Sequence, residues 1–379
     1  MLTAVLILAV VALAWCNGAN DNFKGVATLY GSATCGYRTA LWWATAATVL
    51  GSVTSIALAH GLIKTFSGGD LFTHGVVSEH LLAAAGLASA ATILLATVLG
   101  MPTSTTHALT GALVGAALVS DGGAVRWASV AGKFAQPLLL SPLIAIAATV
   151  ILYVPLRRFR QVAGIERESC ICVGAAAGAP PPVAAMPGAS TLSIANGKRL
   201  IVSVDHVDGC VDRYSGRFVG VDAQSALNVA HYASAAAVCF ARAVNDVPKI
   251  AALLLAFTAV GGISQMGVLL LVTLAMTIGG LVQSRKVART ISQRITSLNP
   301  GQGFTANFVT AILVIGASRI GVPVSTTHVS CGCIFGISAV NGDRRWRVIA
   351  QILVTWLTTL PLGLALGAGA YSVIRLMGA

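Results

Sequence analysis

Two polar motifs occur twice each, in the same order, inside an otherwise hydrophobic chain. The pattern Asn-Asp-x-x-Lys is present at Asn20–Lys24 and again at Asn245–Lys249. A Pro-x-Ser-Thr-Thr-His segment follows in each half, at Pro102–His107 and at Pro323–His328. A pair of polar motifs duplicated within apolar sequence is typical of a membrane transporter built from two repeats.

The composition places the chain in a membrane. Of its 379 residues, 56% are hydrophobic and only 9% are charged, whereas soluble domains carry roughly 25% charged residues. Most of the apolar runs approach the roughly 20 residues that a spanning helix needs. The net charge of +12 comes mainly from loops between these runs, so it indicates membrane orientation and not nucleic-acid binding. We therefore predict an all-α polytopic membrane protein.

The apolar runs predict both full spans and broken helices. The run at residues 2–30 has no basic start, so we interpret it as a retained, interrupted first helix and not as a signal peptide. The runs at 81–118 and 304–340 are too long for one span, and a Gly-x-Pro breaks each of them. We expect each to turn back at that break. The remaining apolar runs lie at 41–63, 127–156, 224–258, 263–283 and 346–374.

The charge of the loops predicts the orientation of the two halves. Loops 157–220, 284–303 and 341–347 are rich in Arg and Lys, which places them in the cytoplasm. Loops 64–80 and 119–126 of the first half carry one basic residue each and are expected outside. Corresponding loops then face opposite sides, so we predict two inverted-topology repeats whose broken, re-entrant helices meet near the bilayer midplane. Both termini are expected outside a bacterial-type inner membrane.

The same reasoning divides the chain into three parts. We predict a first transmembrane repeat at 1–156, a cytoplasmic loop at 157–220 and a second transmembrane repeat at 221–379. Within the loop, residues 174–189 have linker composition and 198–205 have strand-like content, so the loop either contains a small β-element or is irregular. Its cysteine and histidine residues match no zinc spacing, and we expect no metal site.

Charged residues in the first pair of motifs point to a transport path. An ionised side chain in mid-membrane costs on the order of 2.5–3.5 kcal/mol even on lenient scales. Asp21 and Lys24 are three residues apart, as are Asp246 and Lys249, so each pair lies on one helix face and forms a local ion pair. A purely structural pair is the alternative. Repetition of the whole pattern in both halves favours a functional one.

The Ser-Thr-Thr segments predict an anion site. After each proline break, hydroxyl residues begin a new helix, whose first N–H groups lack acceptors and whose dipole is positive there. Two such helix starts converging near the midplane form a site for an oxyanion. The candidate substrate-binding residues are Asn20, Asp21, Lys24, Ser104, Thr105, Thr106, Asn245, Asp246, Lys249, Ser325, Thr326 and Thr327.

These motifs resemble those of the inorganic phosphate transporter (PiT) family, which has a Gly-Ala-Asn-Asp motif in each half and Pro-x-Ser-Thr-Thr-His segments. The resemblance covers both halves and leaves out loop 157–220. It implies secondary transport of an inorganic oxyanion, usually phosphate, driven by sodium or protons. Carried over residue by residue, it points to the candidates named above, apart from the two lysines.

The lysines are a departure from that family. Its motif usually has a second asparagine three residues after the aspartate, where this chain has Lys24 and Lys249. An asparagine carbonyl binds Na⁺, whereas an ammonium repels it. The replacement is symmetric, which indicates a variant branch with proton coupling favoured over sodium. Because the lysines also neutralise the aspartates, sulfate is the alternative substrate.

Three other expectations follow. A Ser or Thr beside a His is a weak sign of nucleophilic catalysis, so an enzyme is a remote alternative, and an anion channel is another. We expect no cofactor apart from a coupling ion, H⁺ or else Na⁺. The expected partners are phosphate or sulfate and the lipid bilayer, with a homodimer left open.

Overall fold

A computed structural model describes residues 2–58, 60–67, 71–72, 77–120, 125–165, 169–175, 190–193, 199–206, 218–256 and 264–377. The described residues form two compact units. One unit combines residues 1–153 with 232–379, and the other contains residues 154–231. The first unit holds both pairs of polar motifs.

The first half of the chain is helical and breaks where its prolines predict. Glycine 100 adopts a left-handed φ of +71°, which favours a residue without a Cβ atom, and Pro102 follows within the break. The helices of this half are α1 (Leu2–Asp21), α2 (Ala27–Gly31), α3 (Tyr37–Leu58), α4 (His60–Phe66), α5 (Glu79–Val98), α6 (Thr105–Leu118), α7 (Trp127–Ser129) and, after a π-helical turn at Val130–Ala135, α8 (Gln136–Val162).

The second half has a matching break. Glycine 321 takes a φ of +73°, and Pro323 follows it as Pro102 follows Gly100. The helices of this half are α9 (Ala223–Leu255), α10 (Gln265–Gln283), α11 (Arg285–Arg289), which runs into a π-helical turn at Thr290–Arg294, α12 (Pro300–Arg319), α13 (Thr326–Asn341) and α14 (Trp346–Leu376).

Close contacts between the halves are reciprocal. A Cβ atom on Gly61 would lie 2.9 Å from the Cα of Gly321, and one on Gly100 would lie 3.4 Å from the Cβ of Lys286. Lysine 286 follows Gly61 by 225 residues, and Gly321 follows Gly100 by 221. The break in each half thus packs on the corresponding region of the other half, as expected for two copies of one unit.

The helical membrane fold is confirmed. Among the described residues, six helices are long and apolar enough to cross a membrane, and a seventh span results if α3 and α4, bent by 81°, are counted together. The six include α5 and α12, which the sequence assigns to segments that turn back. Helix α9, which carries the charged residues Arg242, Asp246 and Lys249, is not one of the six.

The second unit contains a small antiparallel sheet. Its strands are β1 (Ser169–Ala175), β2 (Ser190–Ser193), β3 (Arg199–His206) and β4 (Phe218–Asp222), in the order β2-β3-β1-β4. Strand β3 overlaps the strand-like segment 198–205 of the predicted cytoplasmic loop. The linker 174–189 and the cysteine and histidine side chains of this loop lie almost entirely outside the described residues.

Candidate functional site

The predicted site residues converge on one buried region. The end of α1 and the middle of α9 supply the charged motif, and the first turns of α6 and α13 supply the hydroxyl groups. All twelve predicted residues are at most 5% exposed. Because burying a charge without a partner costs several kcal/mol, the bonds of these residues decide what the region can do.

The first lysine joins the two halves of the chain. Helix α1 ends at Asp21, so Lys24 lies in the turn that follows and its side chain folds back. Its Nζ forms an ion pair with the Asp21 carboxylate and donates a hydrogen bond to the Thr327 hydroxyl of the other half. A third bond, of 3.0 Å, runs to the carbonyl oxygen of Thr103.

The second lysine makes the corresponding set of contacts. Lysine 249 places its Nζ 3.6 Å from Asp246 Oδ1 and donates to the Thr106 hydroxyl of the first half at 2.9 Å. It also donates to the carbonyl oxygen of Val324 at 2.9 Å. Each lysine therefore pairs with the aspartate of its own half and reaches a threonine of the opposite half. Two charged pairs and two helix starts consequently form one site.

The serines of the hydroxyl motifs act as helix caps. Ser104 Oγ accepts a hydrogen bond from the His107 backbone N–H at 3.1 Å, and Ser325 Oγ accepts one from His328 at 3.2 Å. This is the usual N-cap arrangement, in which a side-chain oxygen satisfies a free N–H of the first turn. The serines hold the helix starts in place, and the neighbouring Thr105, Thr106 and Thr327 bond to charged side chains.

The two threonines at the first helical position differ in their bonds. Thr105 Oγ1 accepts from the Asn17 amide at 2.8 Å and donates to Asp21 Oδ2 at 3.4 Å. Within the described part of the chain, no protein group forms a hydrogen bond with the Thr326 hydroxyl. The hydroxyl of Thr105 is thus already bonded, whereas that of Thr326 has no bond to a described protein group.

The asparagines that precede the aspartates hold the helix breaks. Asn20 Nδ2 donates to the Thr97 hydroxyl at 2.9 Å, and the Ser318 hydroxyl donates to Asn245 Oδ1 at 3.2 Å. The Asn20 side chain also bonds to backbone groups of Met101 and Thr103, in the break after α5. The Asn245 side chain likewise donates to the carbonyl oxygen of Val324, in the break after α12. Both asparagines therefore position the helix starts, and Asn245 also donates to Asp246 Oδ1 at 2.9 Å.

Two residues of this site are missing from the sequence-based set, Asn17 and Arg242. Asn17 Nδ2 lies 3.3 Å from Asp21 Oδ2 and 3.3 Å from Asp246 Oδ2, so one amide bridges the two carboxylates. Arg242 Nη1 donates to Asn17 Oδ1 at 3.1 Å, and its side chain is 1% exposed. The sequence does contain a sign of this pair, because Arg242 is a charged residue inside an apolar run. It lies at the position of the second half that corresponds to Asn17.

Two histidines lie side by side at the edge of the site. The rings of His107 and His328 have centroids 4.6 Å apart, and His328 also packs on Trp356 at 4.0 Å. All three line a largely apolar cavity of about 570 Å³ between α8, α13 and α14. Asp21, Lys24, Asp246 and Lys249 are not among the residues that line this cavity.

The site is closed to solvent in this conformation. Asp21, Lys24, Asp246 and Lys249 are each at most 2% exposed. Among the described residues, no group of three or more His, Cys, Asp or Glu side chains is arranged to hold a metal ion. What the site presents is hydroxyl, ammonium, amide and helix N–H donors beside two carboxylates, which suits a small hydrogen-bonding anion.

Buried ion pairs beside the starts of two helices that follow breaks, in a multi-pass helical protein, are typical of a membrane transporter. The chain belongs to the phosphate transporter family, whose model matches residues 17–367. Membership of a transporter family shows that the chain is a transporter and not an enzyme.

Curated relatives agree with this membership. The chain is 27% identical over 379 residues to a probable low-affinity inorganic phosphate transporter of Bacillus subtilis, covering 100% of this chain and 98% of the relative. It is 28% identical to the chloroplastic inorganic phosphate transporter 2-1 of Arabidopsis thaliana, covering 93% of this chain and 69% of the relative. A solved structure, described as the sodium-dependent phosphate transporter, has the same fold, with a TM-score of 0.75, 20% identity and 99% coverage of both chains.

Proposed function

We propose that this chain is a secondary active transporter of inorganic phosphate and that protons, rather than sodium, drive it. The observation that carries the proposal is the crossed arrangement of two buried Asp–Lys pairs, each reaching a threonine of the opposite half. An anion entering between them meets two ammonium groups and two helix starts. The names of the family and of the relatives support phosphate as that anion.

The lysines support coupling without sodium. Lys24 and Lys249 stand where the PiT motif has asparagine carbonyls, and their Nζ atoms contact the carboxylates directly. A fixed ammonium supplies the positive charge that a bound Na⁺ would bring, and it repels a second cation at the same place. The sodium dependence named for the protein of similar fold is therefore not expected here.

Protonation of the aspartates couples proton movement to anion binding. With the site empty, each lysine is held by its own aspartate. A proton taken up by Asp21 or Asp246 removes that negative charge, and the lysine turns to the anion. When the anion leaves on the other side, the aspartate gives up its proton and recovers the lysine. One proton thus travels with the anion at each aspartate that titrates.

The closed site and the reciprocal packing support alternating access. Charged groups that are at most 2% exposed cannot exchange ligand until a path opens, and related halves offer one path on each side. We take the halves to be inverted repeats near the bilayer midplane, with both termini outside a bacterial-type inner membrane. The reciprocal contacts of Gly61 and Gly100 support the repeat, and the loop charges support the orientation.

Sulfate is the competing substrate, and hydrogen-bonding chemistry separates it from phosphate. Hydrogen phosphate has an O–H group that can donate to a carboxylate, whereas sulfate at neutral pH only accepts. Both aspartates are retained in this site, which favours phosphate. Their pairing with lysine weakens the repulsion of sulfate.

Uptake of labelled phosphate and labelled sulfate into proteoliposomes tests the proposal. We expect saturable phosphate uptake, with sulfate competing weakly. Preferential uptake of sulfate would show that sulfate is the substrate, and the chain would still be a secondary transporter of an oxyanion. Flux that does not saturate and responds to no ion gradient would indicate a channel instead.

A further inference from the structure

Arginine 242 is a buried cation without a carboxylate partner. Its side chain is 1% exposed, and its Nη2 donates to Asn22 Oδ1 at 3.3 Å and to Thr48 Oγ1 at 2.8 Å. Its Nη1 donates to Asn17 Oδ1 at 3.1 Å, and its Nε has no hydrogen-bond partner. Within the described residues, no Asp or Glu side chain forms a salt bridge with it. A buried guanidinium held only by neutral groups leaves its charge uncompensated.

Counting the buried charges gives the site an excess of one positive charge. Three cations, Lys24, Arg242 and Lys249, lie with two carboxylates, Asp21 and Asp246. The two Asp–Lys pairs cancel, so the excess is the charge of Arg242. Desolvating a net charge is unfavourable, and an incoming anion offsets that cost. An anion bound anywhere in the site would therefore compensate the charge of Arg242.

Arginine 242 also fixes the orientation of the Asn17 amide. Because Asn17 Oδ1 accepts from Arg242, its Nδ2 must face Asp21, Asp246 and Thr105. An amide nitrogen has two hydrogens, so it can satisfy only two of these three acceptors at once. The amide thus acts as a donor shared between the carboxylates of the two halves.

This arrangement is present on one side of the site only. Arg242 follows Asn17 by 225 residues, the same separation that relates Asp246 to Asp21. The two residues are therefore equivalent positions of the two halves. One position supplies an amide to the carboxylates, and the other supplies a cation to that amide.

We propose that Arg242 sets the charge of the phosphate site and, through Asn17, positions the donor that both aspartates share. The inference rests on the proposed function, because phosphate is the anion that it assigns to the site. In the empty site, the extra charge lets phosphate bind without a metal cation. Arg242 is a positioning residue and need not touch phosphate.

Three variants separate charge from structure. Arg242→Asn gives position 242 the same residue type as its equivalent, Asn17, and lowers the net charge of the site to zero. Asn17→Asp gives Arg242 a carboxylate partner and reaches zero by another route. Arg242→Lys keeps the charge and cannot hold Asn17, Asn22 and Thr48 together. Three other titratable groups lie close enough to act on the cluster and are unchanged in every variant: Cys239, Cys331 and His328.

Calorimetric titration of the purified full chain with inorganic phosphate, in sodium-free buffer over a range of pH, is the test. A site of zero charge must gain a proton to recover the excess, so Arg242→Asn and Asn17→Asp should both bind phosphate at least about tenfold more weakly near neutral pH. Both should also shift the pH dependence of binding toward acid. Arg242→Lys should bind more weakly with the pH dependence of the wild type.

The outcomes are distinguishable. If the wild type binds phosphate and Arg242→Asn matches its affinity and pH dependence, the role of Arg242 is overturned and the proposed function stands. A wild type that binds no phosphate overturns both. If Arg242→Asn does not fold, Asn17→Asp decides the question, and an affinity loss there without an acid shift would reduce Arg242 to a structural role.

Discussion

The two halves of the molecule build one site, with matching bonds from their lysines and serines and with differences elsewhere. Lys24 and Lys249 make corresponding contacts, and the two serine caps agree to within 0.1 Å, at 3.1 and 3.2 Å. The halves differ where Asn17 of the first corresponds to Arg242 of the second. Equivalent residues of the two halves thus supply the matching contacts, and the buried cation without a salt bridge among the described residues comes from the second half.

A second difference concerns the backbone. Helix α1 ends at Asp21, so Lys24 lies in a turn, whereas α9 continues from Ala223 to Leu255 through Pro248. A proline in a helix interior removes one hydrogen bond and weakens the helix there. The same polar motif is thus carried on a helix end in one half and on an unbroken helix in the other.

The largest expected effect comes from making both lysines asparagine, which removes the cations that the halves share. The Lys24→Asn, Lys249→Asn variant leaves two buried carboxylates without their lysine partners, and breaking a buried pair costs about 3–5 kcal/mol. We expect phosphate uptake without sodium to fall to background in proteoliposomes and to recover in part with sodium. Full activity with unchanged ion requirements would show that the lysines are structural.

The next comparison uses equivalent glycines. A Cβ atom on Gly115 would lie 1.9 Å from the Leu364 carbonyl oxygen, whereas one on Gly336 would lie 3.0 Å from the Ile146 carbonyl oxygen. Overpacking of this kind typically costs about 1–3 kcal/mol. We expect Gly115→Ala to lower the unfolding temperature in detergent well below that of Gly336→Ala. Equal values would mean that α14 moves away from α6 without cost.

A smaller effect separates the two threonines. Thr105→Val removes an acceptor of Asn17 and a donor to Asp21, so it should lower both stability and phosphate affinity, by about 1–3 kcal/mol. Thr326→Val removes a hydroxyl that no described protein group bonds, so it should lower phosphate affinity and leave stability unchanged. Calorimetry and thermal unfolding measure the two quantities. Unchanged phosphate affinity in both variants would show that Thr105 and Thr326 only begin their helices and do not bind the anion.

The smallest effect concerns the loop before α14, whose counterpart at 121–124 lies outside the described residues. Hydrogen bonds from the Ser297 backbone N–H, the Ser297 hydroxyl and the Thr296 hydroxyl lower the pKa of the partly exposed Asp343. A lowered pKa stabilises the fold above the ordinary value of 3.8, and that contribution is lost as pH falls through the folded-state pKa. Asp343→Asn should therefore unfold at a lower temperature than the wild type at neutral pH, with the difference vanishing in strong acid.

The helical membrane fold and the breaks at Pro102 and Pro323 were predictable from the sequence, because they depend on hydropathy and on backbone chemistry that local sequence carries. The inverted repeat stays a prediction. The sequence also predicted that Lys24 pairs with Asp21, but it placed both residues on one helix face, whereas Lys24 lies in the turn after α1. It missed Arg242 because its partners, Asn17 and Thr48, are close only after the two halves pack. For the same reason, it could not distinguish the cap role of Ser104 from the role of Thr105.

The measurement that tests the central claim most directly is phosphate uptake by the wild type, with sodium and proton gradients imposed separately across proteoliposomes. The claim is that fixed lysines of both halves take the place of bound sodium. Uptake should then be the same with and without a sodium gradient and should accelerate when the outside is acidic. Strict dependence on sodium, with no response to a pH gradient, would contradict the claim.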